Sequence, residues 1–253
     1  MKKMLALVLA VTMVASSLVA CGSKDTADTT TTDAAEGKQL VVQVGPDPET
    51  IDPALNSASD GGCMILHAFE GLLTYDQNEQ LQPGCAELPE ISEDGLTWTF
   101  HLREGLKWSD GTDMTANDFV YSWKRVCDPM TAAPYAETVL GMVKGYDEAI
   151  NGNVDALAVT ATDDHTLVVE FSVPCTYFDD LVAFATLSPV QQATIEANGD
   201  AWATSPETYV SNGSFHVTEW VPGSHITMSK NEYYRNADDI KLDSIKFVLN
   251  RSI

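Results

Sequence analysis

The sequence predicts a mixed α/β fold. Short apolar runs closed by Gly and Pro are interleaved with stretches of helical period, and no internal repeat orders them. A chain of 253 residues, 44% of them hydrophobic, can bury a sizeable core as one large domain or two ordinary ones. Leu40-Val41-Val42-Gln43-Val44 reads as a strand ended by Gly45-Pro46. Cys63 to Leu73 carries Ile65, Leu66, Phe69, Leu72 and Leu73 at helical spacing. Thr97 to Arg103 alternates, with Trp98, Phe100 and Leu102 on one face, as in a half-buried strand.

Asp110-Gly111 marks a turn, and Thr115-Ala116-Asn117-Asp118 fits a capping box that opens a helix through Phe119, Val120, Trp123 and Val126. Leu157–Thr162 and Thr166–Phe171 flank Asp163-Asp164-His165 as a hairpin. Pro189 to Asn198 reads as a helix with Gly199 at its end. Ser214–Val221 and Ile226–Lys230 form a strand pair around Pro222-Gly223, and Lys246–Leu249 starts one more strand.

Ahead of this body, Met1-Lys2-Lys3 precedes an uncharged run from Met4 to Ala15 and the small residues Ser16 to Ala20. A basic start, a short apolar centre and a small-residue end mark a secretory signal over residues 1–20. The apolar run is shorter than the ~20 residues that cross a bilayer comfortably. Leu18-Val19-Ala20-Cys21 resembles a bacterial lipobox, which implies cleavage before Cys21 and a lipid on its thiol, a membrane anchor. Residues 21–37, rich in Thr, Asp and Ala and without a large apolar side chain, are expected to form a flexible tether.

The chain carries 14 basic and 37 acidic residues, a net charge of −23. Such acidity, unbroken by any Lys/Arg run, argues against nucleic acid as a partner and suits an exported, soluble body. Cys63, Cys85, Cys127 and Cys175 show no CxxC pairing and no His at metal-ligand spacing. Their irregular spacing favours free thiols, with up to two disulfides as the alternative. No GxSxG, HExxH or GxxxxGK[ST] motif is present. His67, His101, His165, His216 and His225 are scattered, with His101 opposite the apolar strand face and His165 in a turn. No enzyme activity, metal or cofactor is expected.

Trp98-Thr99-Phe100-His101-Leu102-Arg103-Glu104-Gly105-Leu106-Lys107-Trp108-Ser109-Asp110-Gly111-Thr112 resembles the signature of the family 5 extracellular solute-binding proteins. The likeness continues through Thr115–Arg125 into Asp128-Pro129 and Ala133-Pro134-Tyr135-Ala136, which is similar to the oligopeptide-binding subgroup. Ile51-Asp52-Pro53, Phe69-Glu70-Gly71-Leu72-Leu73, Asp163–Leu167, Ser188-Pro189-Val190 and Asn212-Gly213-Ser214-Phe215 keep the family's order.

The resemblance implies a two-lobed receptor of the periplasmic-binding type II kind, feeding an ABC permease and ATPase complex and working as a monomer. Residues 38–69 and 192–253 would build the first lobe, with 70–191 as a smaller inserted lobe. The opposing, ligand-closing lobe comes later in the family. The sequence is therefore expected to be truncated before it, to lack the groups that grip a peptide's termini, and to bind weakly alone. A dipeptide, nickel-chelate or other small-solute receptor is the nearest alternative; a lipid-anchored surface enzyme is the distant one.

In this family an extended peptide is held largely through its backbone. Asn56-Ser57-Ala58-Ser59 would supply part of that pairing, the alternative being a plain polar loop. Tyr135 resembles a tyrosine that faces the cleft, against a half-buried core role. Phe184 falls at a pocket-lining position by spacing alone and is expected to pack into the core. Trp98, Trp108 and Trp123 read as core residues.

Overall fold

The computed structural model describes residues 37–250; the leader, Cys21 and the tether up to Glu36 lie outside them. Strand β1 (Gln39–Gly45) forms from the apolar run and ends at Gly45, whose φ of +116° an L side chain rarely adopts. Helix α1 (Ser59–Ala68) begins and ends earlier than the Cys63–Leu73 pattern predicts. Phe69 turns to extended angles (φ −125°, ψ 151°) because distant groups capture the next backbone. Asn212 Nδ2 donates to the Glu70 carbonyl at 2.9 Å, and its Oδ1 accepts the Glu70 N–H at 3.1 Å. The Gly213 N–H adds a bond to the Ala68 carbonyl at 2.7 Å. A Cβ at Gly213 would lie 2.5 Å from the Ala68 carbonyl carbon, so the approach needs glycine. Peeled off in this way, Leu73 enters β2 (Leu73–Tyr75), which pairs with β3 (Leu81–Pro83).

A four-stranded antiparallel sheet follows, in the order β4 (Glu90–Ile91), β5 (Thr97–His101), β7 (Thr166–Glu170), β6 (Val159–Asp163). Phe100 pairs with Leu167 and Trp98 with Val169, and all four are buried on one face. Helix α2 (Ala116–Cys127) presents Phe119 and Trp123 to this core. Beyond it lie the short α3 (Ala136–Leu140), α4 (Tyr146–Ala149) and α5 (Phe178–Leu181). Trp98, Trp108 and Trp123 are core residues, as the pattern predicts, and so is Trp202.

The predicted capping box at α2 is present: the Asp118 carboxylate accepts the Thr115 N–H at 2.8 Å. Burial pushes the Asp118 carboxyl up to about 6, against the pull of its hydrogen bonds with Thr115 and Trp108. A folded-state value above the unfolded one means the folded chain binds this proton first. The group's contribution to stability therefore grows as pH falls from about 7 to about 4. Urea melts across that range should show the wild type gaining on Asp118→Asn as the solution is acidified. A constant difference would refute the assignment.

Helix α6 (Gln192–Asn198) starts three residues after Pro189 and is ended by Gly199 at φ +55°. Strands β8 (Phe215–Val221), β9 (His225–Lys230) and β10 (Ser244–Leu249) complete a second sheet in the order β1-β10-β9-β8. β1 runs parallel to β10, with Leu40 opposite Ile245 and Val42 opposite Phe247. Ile226, Met228, Ile245 and Phe247 are buried, and α1 covers them in part through His67, edge-on to Phe247 at 5.8 Å.

Candidate functional site

The segment Asn56–Ser59 is held from its upstream side by Asp52. Pro53 fixes one φ angle, and the Asp52 carboxylate accepts the Ala54 N–H at 2.9 Å as an Asx-type turn. The Asp52 carbonyl takes the N–H groups of Leu55 and Asn56 at 3.1 and 2.9 Å. That carboxylate is itself buried, bound bidentately by Arg125 at 3.0 and 2.5 Å and by Trp202 Nε1 at 3.0 Å. Trp202 stacks on Tyr209 at 5.4 Å, and the Tyr209 hydroxyl donates to the Ile51 carbonyl at 2.7 Å. The Asp52 carboxylate and carbonyl and the N–H groups of Ala54, Leu55 and Asn56 are all partnered, which ties the turn down.

Asn56 spends its side-chain amide on the Thr50 carbonyl at 3.0 Å. Ser57, Ala58 and Ser59 are exposed, and Ala58 is extended (φ −115°, ψ 150°) before α1 begins. Among the described residues, the N–H groups of Ser57 and Ala58 make no hydrogen bond. The first turn of α1 presses on the segment from the other side. A Cβ at Gly61 would sit 2.1 Å from Asn56 Nδ2 and 2.5 Å from the Thr50 carbonyl. Gly61→Ala should therefore cost about 1–3 kcal/mol through overpacking. Chemical denaturation would show it, and an unchanged midpoint would refute the close approach.

The other half of the site lies beyond α2. The Asp128 N–H bonds the Arg125 carbonyl at 3.2 Å, and Asp128 in turn accepts the N–H groups of Met130 and Thr131 at 2.8 and 2.9 Å. Ala132 sits at φ +53°, and Pro134 then leads into Tyr135, the residue before α3. Tyr135 is half-buried and packs against the core, and its hydroxyl engages no hydrogen bond among the described residues. Its ring meets Phe184 edge to face at 5.3 Å and 83°. Phe184 is 43% exposed, which corrects its expected place in the core. It stands just before a single 3-10 turn (Ala185–Leu187) that buries Thr186 and Leu187 and leaves the Phe184 ring half in solvent. Behind the loop is a 290 Å³ recess lined by Val126, Pro129, Ala133, Pro134 and Tyr146 among others.

The structure thus brings Tyr135 and Phe184 together, while no hydrogen bond or ring contact joins either to Asn56–Ser59 among the described residues. Arg125 links the two halves, by its guanidinium to one and by its carbonyl to the other. Sequence reading passed over it as part of a motif. The available signal was an arginine following Asp118 and Ser122 along one helix stripe, among apolar neighbours.

The thiols do not suit covalent chemistry. Cys63, Cys85, Cys127 and Cys175 are free, and burial raises each of them, Cys127 to about 12. Burial also lowers His216. No group of three or more His, Cys, Asp or Glu side chains among the described residues could hold a metal ion.

The family described as bacterial extracellular solute-binding proteins, family 5 Middle, matches residues 80–252. The chain is 40% identical over 205 residues to the Escherichia coli protein named as a probable deoxycholate-binding periplasmic protein, YgiS, covering 80% of this chain and 38% of that one. It is 40% identical over 210 residues to the periplasmic oligopeptide-binding protein OppA of Salmonella typhimurium, covering 81% and 38%. The crystal structure of Haemophilus influenzae OppA in complex with RPPGFSPFR superposes with a TM-score of 0.81 at 35% identity, covering 85% of this chain and 42% of that chain. The chain spans about two fifths of the length of the curated relatives it matches. The mixed α/β fold is the one seen in these structures, and the family is one of solute-binding proteins, not enzymes.

Proposed function

Because the chain belongs to the bacterial extracellular solute-binding proteins of family 5, we propose that it captures oligopeptides outside the cell and delivers them to an ABC permease and ATPase complex. One observation carries the reading: Ser57 and Ala58 present unpaired backbone N–H groups on an exposed, extended segment that Asp52 and α1 hold still. A peptide lying alongside would satisfy one of these donors as an added strand, since successive N–H groups of an extended chain face opposite edges, and would do so independently of its side chains. The half-open Tyr135–Phe184 pair would supply a side-chain contact, with the Tyr135 hydroxyl available to a peptide group.

In this reading, residues 38–69 and 192–253 form one lobe and 70–191 the inserted one. In support, β1 joins β8–β10 in one sheet while β4–β7 form another. A lipid on Cys21 would hold the receptor at the membrane, next to the permease.

Isothermal titration with the nonapeptide RPPGFSPFR should give saturable binding, weakened by Tyr135→Ala, and mass spectrometry should recover the peptide intact. A parallel titration with deoxycholate addresses the likeness to YgiS. Deoxycholate binding without peptide binding, or peptide cleavage, would overturn the proposal.

A further inference from the structure

We infer that the Arg125 guanidinium is the positioning group of this site, setting the Asn56–Ser59 segment through Asp52; the inference rests on the peptide-binding reading. Its side chain is 13% exposed and that of Asp52 4%, so the bidentate pair is screened little by solvent. The Asp52 carboxylate serves both Arg125 and the Ala54 N–H, and the Asp52 carbonyl takes the N–H groups of Leu55 and Asn56, so the guanidinium fixes the residue on which the turn is built. Residue 56 follows in the chain, and Gly61 leaves that asparagine no room to adjust.

On the other side, the Arg125 carbonyl accepts the Asp128 N–H at the turn that leads to Tyr135, a backbone bond that any residue at 125 would make. Trp202 Nε1 and the Trp202 ring, with the guanidinium 6.0 Å from its centroid, fix the pair laterally. Lysine in place of Arg125 would keep the charge but give up the planar two-point bond that specifies orientation. The arrangement is that of a clamp. It touches no ligand and yet determines where a ligand-facing segment lies.

A purely structural ion pair would lower stability when broken and leave the affinity of the folded fraction alone. The test therefore compares Arg125→Lys and Arg125→Gln with Arg235→Gln, which breaks a buried ion pair outside the site. Affinity for RPPGFSPFR would be measured by titration on the whole chain, per folded molecule. Hydrogen exchange would be followed over residues 53–59 and 128–136. Both Arg125 variants should lose affinity on the order of tenfold at unchanged stoichiometry, with faster exchange over residues 53–59 and unchanged exchange over residues 128–136. Arg235→Gln should keep the affinity of its folded fraction. Equal affinity losses in the Arg125 and Arg235 variants, or wild-type affinity in Arg125→Lys and Arg125→Gln, would overturn the inference alone. Absence of binding by the wild type would overturn the peptide-binding reading and the inference with it.

Discussion

Arg235→Gln is expected to destabilise the folded chain by about 3–5 kcal/mol, because it strands a buried carboxylate. Glu70 is 8% exposed and accepts Arg235 Nε at 2.6 Å, Arg235 Nη2 at 2.8 Å and the Tyr234 hydroxyl at 2.6 Å. Its own carbonyl is meanwhile bound by Asn212. The Glu70 hydrogen bond and charge raise Arg235 well above its ordinary range, against the cost of burial. The same burial, helped by Glu70, raises the Tyr234 phenol. Gln at 235 retains a donor but removes the charge, leaving Glu70 with the desolvation penalty and little compensation. Urea unfolding should show a lower midpoint at unchanged slope. Glu70→Gln combined with Arg235→Gln should recover much of the loss, since a buried pair replaced as a whole costs less than one that is broken. A deficit below about 1 kcal/mol, typical of exposed pairs, would mean the site admits water.

Phe178→Ala should cost a similar amount, about 3–5 kcal/mol, by a different mechanism. The ring is fully buried, 4.7 Å from Phe171, 5.7 Å from Trp98, 5.9 Å from Trp123 and 6.5 Å from Phe100. Four aromatic neighbours resist collapse into the space left behind, so the cavity term adds to the lost transfer energy. α5 has four residues and no side-chain cap, so propensity contributes little and the ring is what anchors it. Phe178→Leu should lose less, because most of the volume remains. Phe184→Ala is the internal control: at 43% exposure it should change stability by well under about 1 kcal/mol. Comparable losses at positions 178 and 184 would refute the packing argument.

What could be read in the sequence was local. Trp98, Phe100 and Leu102 alternate because a strand has period two, and the structure buries all three. Thr115 to Asp118 is a complete capping box within four residues, so the start of α2 needed no distant information. The end of α1 was a different matter. Phe69, Leu72 and Leu73 continue the helical spacing, and only Asn212 and Gly213, far along the chain, explain why the helix stops at Ala68. Within the site, the turn at Asp52-Pro53 was visible, but its guanidinium partner was not, because a salt bridge 73 residues apart leaves no local pattern. Phe184 misled because a large apolar residue reads as core, and nothing local shows that its ring ends half exposed against Tyr135.

β1 and β10 are neighbours in space but lie about as far apart in sequence as the described chain allows, with the Lys38 N–H on Asp243 across 205 residues. Closing so long a loop costs entropy that nearby contacts cannot repay, so topology sets the order of events. The β5–β7 and β8–β9 ladders can form early, whereas β1 must wait for β10. A chain that emerges from its start would hold β1 unsatisfied until β10 has appeared.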